Sequence, residues 1–156
     1  MIRLATSSDA ADVSKVLRES FLEFEPQYTP EGFAATTPTP LQVLSRLNEG
    51  PIWVVTIDGL VVGTVSVIKT NHSIYVRGMA VSPEARGLRI GERLLETITQ
   101  YALEQKCSRL FLSTTPFLYR AIRLYEAFGF TRIADGPHDL HGTPLFSMEL
   151  TLSDSS

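Results

Sequence analysis

The sequence contains one cysteine, Cys107, among its 156 residues. A single cysteine excludes an intramolecular disulfide and any zinc site built from several cysteines. A large excess of one charge is absent as well. The chain has 14 Lys and Arg and 17 Asp and Glu, which gives a net charge of −3. Nucleic-acid-binding domains normally carry a basic excess. We therefore expect a small-molecule or protein partner, no nucleic acid, and the reducing cytoplasm as the setting.

Long hydrophobic runs are absent as well. The most apolar stretch, Ile52–Ile68, is interrupted by Asp58, Gly59 and Gly63, whereas a membrane span needs roughly 20 apolar residues. No signal-peptide run or internal repeat is visible, so we expect no membrane partner. A content of 44% hydrophobic and 20% charged residues is typical of a folded chain. We predict one domain over residues 1–152, followed by a short tail at 153–156.

The hydrophobic periodicity predicts alternating strands and helices. Asp58-Gly59 between two β-branched runs predicts a tight hairpin. The order implies a mixed α/β (α+β) fold, with one central, twisted, mostly antiparallel sheet of about seven strands flanked by about four helices. The predicted strands cover 2–6, 51–57, 60–69, 73–82, 109–114, 130–134 and 143–151, and the predicted helices cover 8–24 and begin at 40, 90 and 116, with an irregular segment at 25–40.

The turn between the strand at 73–82 and the helix from residue 90 has the composition of an anion site. Arg86 and Arg89 add positive charge beside backbone N–H groups that have no partner at a helix N-terminus. Gly87 and Gly91 remove Cβ atoms where a ligand or the sheet comes close. Together these features suit a pyrophosphate; the alternative is an ordinary connection with solvated arginines. The turn is neither a Walker A loop nor a Rossmann fingerprint.

Two segments then resemble a known family. Met79–Leu95 resembles the acetyl-CoA signature of the GNAT-type N-acetyltransferases. Ala121–Phe130 is similar to that family's Ala-Ile-x-Leu-Tyr-x-x-x-Gly-Phe ending. Both motifs stand at the family's usual separation, and the resemblance extends from Ile2 to about Leu150.

The resemblance implies an acyl-CoA N-acyltransferase-like fold and an enzyme. It would transfer an acetyl group from acetyl-CoA, its co-substrate, directly to a primary amine of a small molecule or peptide, without a metal. Tyr125 would be the general acid; by spacing alone it would be a core aromatic on a helix stripe. A homodimer is left open. The residues expected to bind the cofactor are Met79, Ala80, Val81, Arg86, Gly87, Leu88, Arg89, Ile90 and Gly91.

The sequence departs from the family pattern at two positions. Arg89 stands where the first Gly of the CoA turn is expected, which keeps the backbone amides and adds charge. Leu118 stands where relatives often carry Asn, so a polar contact to pantetheine is lost.

No general base is assigned, because the strand at 73–82 contains no carboxylate. The residues considered are Glu23, Glu25, Glu31, His72, His138 and His141, each of which also suits a solvated surface. This gap keeps an alternative open: a non-catalytic acyl-CoA-binding or sensing module. His138 and His141 with Asp139 suggest zinc only weakly, since no fourth ligand is near in sequence.

Two features bear on the acceptor. The segment Phe24–Phe33 mixes aromatic residues with carboxylates, which favours a cationic small acceptor. Arg77, predicted on the same strand face as Tyr75 and Met79, favours instead an acceptor with a carboxylate.

Overall fold

Strands and helices alternate along the described part of the chain, residues 1–152 of a computed structural model. The predicted tail at 153–156 lies outside the described residues. Within 1–152 no helix combines the length and apolar character that crossing a membrane requires. The strands are β1 (Ile2–Leu4), β2 (Ile52–Ile57), β3 (Leu60–Thr70), β4 (Ser73–Val81), β5 (Arg109–Thr114), β6 (Thr131–Ile133), β7 (Asp139–Leu140), β8 (Thr143–Pro144) and β9 (Phe146–Thr151). The α-helices are α1 (Ala10–Phe21), α2 (Pro30–Thr36), α3 (Pro40–Leu47), α4 (Ile90–Glu104) and α5 (Tyr119–Phe128).

Seven of the strands form one sheet, in the order β1-β2-β3-β4-β5-β9-β6. Only β4 and β5 are parallel neighbours; the other pairs in this sheet are antiparallel. The remaining strands, β7 and β8, form a separate small hairpin. The predicted mixed α/β fold, with a mostly antiparallel sheet of about seven strands, is confirmed.

The hairpin between β2 and β3 forms where the sequence predicts it. Ile57 pairs with Leu60, which leaves Asp58 and Gly59 as a two-residue loop. Both loop residues have positive φ, 51° and 79°. That is the backbone of a type I′ turn, which matches the right-handed twist of the flanking strands.

The prediction of an irregular segment at 25–40 was wrong in part, because α2 lies inside it. Thr29 caps this helix by accepting a hydrogen bond from the Gly32 N–H at 3.0 Å, and Pro30 occupies the first helical position. Two turns are too few for a clear apolar period, so the helix was missed. The described residues therefore hold five α-helices where about four were expected.

Other boundaries shift by a few residues. The α-helical part of α1 ends at Phe21, and a 3₁₀ segment with Pro26 continues to Gln27; proline lacks the N–H that a longer helix needs. Helix α5 begins at Tyr119, not at Pro116. The predicted final strand is interrupted at Leu145, between β8 and β9.

Two apolar layers cover the two faces of the sheet. Helix α4 buries Leu94 and Ile98 completely against one face, and helices α1 and α3 cover the other. Val54 belongs to the second cluster while its neighbour Val55 belongs to the first, because successive strand residues face opposite sides. A third cluster, of Phe24, Tyr28 and Phe33, lies beyond the end of α1.

An ion pair joins β1 to the start of α1. Arg3 donates two hydrogen bonds to the Asp9 carboxylate, at 2.8 and 2.9 Å, and the Thr6 N–H donates a third at 2.8 Å. The last bond is part of a capping box formed by Thr6 and Asp9. The Arg3 guanidinium, helped by Thr6, lowers the pKa of Asp9 to about 2.

We expect Asp9→Asn to lower the free energy of unfolding at pH 7 by about 1–2 kcal/mol, since it removes a charge-assisted bond whose Arg3 partner is partly exposed. An unfolded aspartate has a pKa of about 3.9, so the native carboxylate stabilises the fold above that pH and loses its effect as the pH falls towards 2. Urea unfolding between pH 7 and pH 3 measures the difference between the two proteins, which should shrink with falling pH. Glu19→Gln, which breaks the exposed pair with Lys15, is the control and should change little; a pH-independent Asp9→Asn difference would contradict the assignment.

Candidate active site

The sheet opens between β4 and β5. The two strands pair over three residues, from Ser73–Arg109 to Tyr75–Phe111, and no further. A bulge lies at the same point, because Ser66 pairs with Gly78 and Val67 with Val76, which leaves Arg77 as the extra residue of β4. A bulge bends a strand and increases its twist. The second half of β4 therefore leaves β5 and presents a free edge.

The backbone along this free edge has hydrogen-bonding groups to offer. The N–H of Ser82 donates to the Val62 carbonyl of the β3 side at 2.8 Å. Backbone groups of successive residues in an antiparallel pair point to alternate sides. The N–H and C=O groups of Met79 and Val81 therefore point away from β3, into the opening, where an extended amide chain can pair with them.

The turn after β4 brings a helix N-terminus to the same opening. The first helical bond of α4 runs from the Arg93 N–H to the Arg89 carbonyl, so the N–H groups of Ile90, Gly91 and Glu92 have no partner inside the helix. Arg89 itself has φ +60°, the left-handed conformation. Arginine thus adopts the backbone that glycine would supply there, and the departure from the family pattern keeps the turn intact.

A first cavity of about 470 Å³ lies between the end of α1, the edge of β4, the turn and α5. All the predicted cofactor residues line it except Leu88, whose side chain is 56% exposed. Tyr125 lines it as well. The sequence did not single out several other lining residues, which come from α1 and α5: Ser20, Phe21, Arg120, Ala121 and Leu124.

Glu23 lies at the edge of this cavity, where it is hydrogen-bonded to two of the arginines that line the cavity. It accepts a hydrogen bond from Arg86 at 2.5 Å and another from Arg120 at 3.4 Å. The bond from Arg86 lowers the pKa of Glu23. An ion-paired carboxylate with a lowered pKa is a poor general base, so the pairing with Arg86 and Arg120 disfavours Glu23 for that role.

A second cavity of about 270 Å³ lies on the other side of the opening, towards β5, α2 and α3. It shares a wall with the first cavity, since the same five residues line both: Phe21, Met79, Leu118, Ala121 and Tyr125. Among the residues that the structure describes, the second cavity has no Asp, Glu or His in its wall. Glu25, Glu31, His72, His138 and His141 all lie elsewhere, on the surface.

Tyr125 occupies the shared wall. Its side chain is 7% exposed and its ring packs on Phe130, with centroids 5.6 Å apart. Removal from water, with a smaller effect of Tyr28, raises the pKa of Tyr125 to about 12. The phenol is therefore neutral and carries its proton at any physiological pH. Tyr125 is thus a core aromatic, as its spacing predicts, and it also lines both cavities. Its role as a general acid stays a prediction.

Three other residues noted in the sequence lie away from both cavities. The described residues contain no group of three His, Cys, Asp or Glu side chains arranged to hold a metal ion. His138 precedes β7, and His141 lies in the loop between β7 and β8. Cys107 is buried after α4, with its S–H directed at the Gln105 carbonyl.

Comparison with solved structures and curated proteins places this arrangement among known molecules. The fold is similar to that of the PaiA N-acetyltransferase of Thermoplasma acidophilum, crystallised with coenzyme A: the TM-score is 0.84 at 15% identity, over 97% of this chain and 98% of that one. A probable N-acetyltransferase of mouse, family 8 member 5, is 37% identical over 95 residues, 56% of this chain and 42% of that protein. This chain thus matches less than half the length of the mouse relative. The uncharacterized N-acetyltransferase YjgM of Escherichia coli is 29% identical over 85% of this chain and 83% of its own.

The sequence also matches a family model, that of the Acetyltransferase (GNAT) family, over residues 13–130. The matched region is more than half of the chain and includes most of α1, the free edge of β4, the turn before α4 and the motif around Tyr125. The predicted resemblance is confirmed: the chain belongs to the Acetyltransferase (GNAT) family.

Proposed function

We propose that this protein is an acetyl-CoA-dependent N-acetyltransferase, which transfers the acetyl group directly to a primary amine of a small molecule or peptide. The observation that carries the proposal is the shared wall. Two cavities of different character meet at Met79 and Tyr125, as a direct transfer between two bound molecules requires. Placing both reactants in contact is itself a large source of rate acceleration.

The first cavity suits coenzyme A in both of its polar parts. The amide groups of pantetheine match the free N–H and C=O groups of Met79 and Val81 along β4. The pyrophosphate matches the unpaired N–H groups at the start of α4, where the helix dipole also favours an anion. Arg86 then has a phosphate as an alternative partner to Glu23. Leu88 is the one predicted contact that does not line the cavity, and we do not include it in the cofactor site.

In the proposed reaction the lone pair of the neutral amine attacks the thioester carbonyl carbon of acetyl-CoA. The tetrahedral intermediate collapses as the C–S bond breaks, and the sulfur takes a proton from the Tyr125 hydroxyl. The amine nitrogen gives up one proton to water, and the phenolate takes one proton back from water, so the protons balance over the reaction. Tyr125 suits the role by its position, because it lines both cavities and is protonated at physiological pH.

A non-catalytic acyl-CoA-binding module is the second candidate, favoured by the lack of Asp, Glu and His among the described residues of the second cavity. Release of CoA thiol separates the two functions. A transferase releases thiol from acetyl-CoA at a rate that depends on the added amine, tested with a panel of amino acids, polyamines and peptides. Tight CoA binding without any amine-dependent release would support the binding module.

We expect CoA to raise the melting temperature by mass action. At 100 times Kd the stabilisation is about 2.7 kcal/mol, or roughly 5–10 °C for a chain of this size. Dephospho-CoA should retain most of the shift and pantetheine should lose most of it, because the turn before α4 binds pyrophosphate. Differential scanning fluorimetry measures all three; equal shifts with pantetheine and CoA would refute this use of the turn.

Gly91→Asp should abolish the CoA shift by bringing a carboxylate next to the phosphates. Gly91→Ala is its matched control, since a Cβ at Gly91 meets the Leu124 side chain, 2.6 Å from its Cδ2 atom, in either variant. The two variants therefore share the crowding and differ in the charge. If Gly91→Ala loses the shift as fully as Gly91→Asp, crowding and not charge is responsible.

Tyr125→Phe should reduce kcat by about 10²-fold, near the low end for loss of a general acid, because a thiolate is already a fair leaving group. Folding and acetyl-CoA affinity should change little, since the ring keeps its packing on Phe130. Pre-steady-state kinetics establish first that chemistry limits turnover. A kcat within twofold of the parent would then assign Tyr125 to packing alone.

The dependence of kcat/KM on pH should follow the acceptor amine. The described wall of the second cavity has no carboxylate or histidine that could take a proton from the amine. We therefore expect kcat/KM to rise with pH as the amine of the free acceptor loses its proton. It should not fall again up to about pH 10, because Tyr125, with its pKa of about 12, keeps its proton. A falling limb near pH 8–9 that vanishes in Tyr125→Phe would contradict this.

A further inference from the structure

Two arginines lie in the second cavity, which has no acidic side chain among its described lining residues. Arg46 comes from the last turn of α3, and Arg77 is the bulged residue of β4. Neither lines the first cavity. The acceptor side of the proposed active site therefore carries two positive charges away from the wall shared with the cofactor side.

The hydrogen-bonding capacity of these guanidinium groups is only partly used. Arg77 donates from Nη1 to Glu49 at 2.5 Å. Its Nε and Nη2 atoms are buried and have no hydrogen-bond partner among the described residues. Arg46 donates from Nη2 to the Ala35 carbonyl, at a long 3.4 Å. Buried donors without partners are costly in a folded protein, so each of them needs an explanation.

The local charge is also unbalanced. Glu49 is the carboxylate that faces Arg77, and its side chain is 49% exposed. Burial lowers the pKa of Arg46, and repulsion from Arg77 lowers it further. Two neighbouring cations against one half-exposed anion leave an excess positive charge, which a bound anion would compensate.

The bulge decides where Arg77 points. Regular alternation predicts that Arg77, Tyr75 and Met79 share one face of β4, and this was wrong for Met79. Met79 packs against the apolar cluster under α4, while Arg77 turns towards Glu49 at the end of α3. The extra residue thus places a guanidinium beside the acceptor cavity and leaves Met79 in the shared wall.

We propose, on the basis of the function proposed above, that the acceptor is a small amine that also carries a carboxylate, of the size of an amino acid. Its carboxylate binds Arg46 and Arg77, and its amine lies at the shared wall of Met79 and Tyr125. A planar guanidinium matches a carboxylate in shape and charge. The cavity volume of about 270 Å³ is below the usual range of roughly 300–1,000 Å³ for drug-sized ligands, which favours a small acceptor.

A cationic acceptor, suggested by the carboxylates of the segment Phe24–Phe33, is not favoured. Glu25 and Glu31 are exposed and do not line the cavity. Tyr28 does line the cavity, but its ring packs edge-on against Phe117, with centroids 4.8 Å apart, and brings no negative charge. A second cation beside Arg46 and Arg77 would add repulsion.

The test compares each of the common L-amino acids with its C-terminal amide as acceptor, in the parent and in Arg77→Gln. In the parent, kcat/KM for the preferred amino acid should exceed that for its amide by about 10- to 100-fold, the range for a charge-assisted bond. Arg77→Gln should remove most of that difference and change the amide by less than threefold. Arg123→Gln, which removes an exposed arginine outside both cavities, should keep the preference.

Binding measured apart from turnover separates the two proposals. With saturating CoA, the preferred amino acid should raise the melting temperature of the parent more than its amide does. Carboxylate-dependent stabilisation without any transfer would support the anion site and refute the transferase. Transfer to amides as fast as to acids, or equal losses for both in Arg77→Gln, would overturn the anion site and leave the transferase standing. Neither stabilisation nor transfer with any amino acid would overturn the anion site, and absence of transfer to the polyamines and peptides as well would overturn the transferase.

Discussion

The separation of β4 from β5 is the constraint on which the candidate site depends. Three residue pairs hold the strands together at one end, and the bulge at Arg77 turns the rest of β4 away. The edge so exposed leaves backbone groups unpaired, which proteins normally avoid. Here the open edge forms part of the wall of both cavities, so a ligand can satisfy the groups that a neighbouring strand would otherwise pair.

Positive charge lines both sides of the opening. The first cavity combines the N-terminus of α4 with Arg86, Arg89 and Arg120, and the second holds Arg46 and Arg77. Both sides are thus suited to anions although the whole chain has a net charge of −3. Between them Tyr125 is neutral, because burial raises its pKa. A neutral phenol in that position adds no charge to either side until it gives up its proton.

Some parts of the site follow from local sequence. The turn before α4 is predicted by its glycines and arginines, and Tyr125 by the motif that surrounds it. Helix α2 was missed since its two turns carry too short an apolar pattern, although Thr29-Pro30 has the same capping form as Thr39-Pro40 at the start of α3. The residues of α1 that line the first cavity look like ordinary members of an amphipathic stripe, and nothing in their spacing marks them.

The sequence by itself determined the order of most of the elements, the tight hairpin at Asp58-Gly59, the family and the position of the turn proposed to bind an anion. Each of these depends on residues close together along the chain, where periodicity, capping and turn chemistry act. Only the tertiary structure decided that Arg77 faces Arg46 and that Glu23 pairs with Arg86, because these contacts join residues 31 and 63 positions apart. It also decided that one phenol lies between two cavities. A bulge that shifts a strand by one residue reverses which side chains face which layer, and no local pattern of residues reveals it.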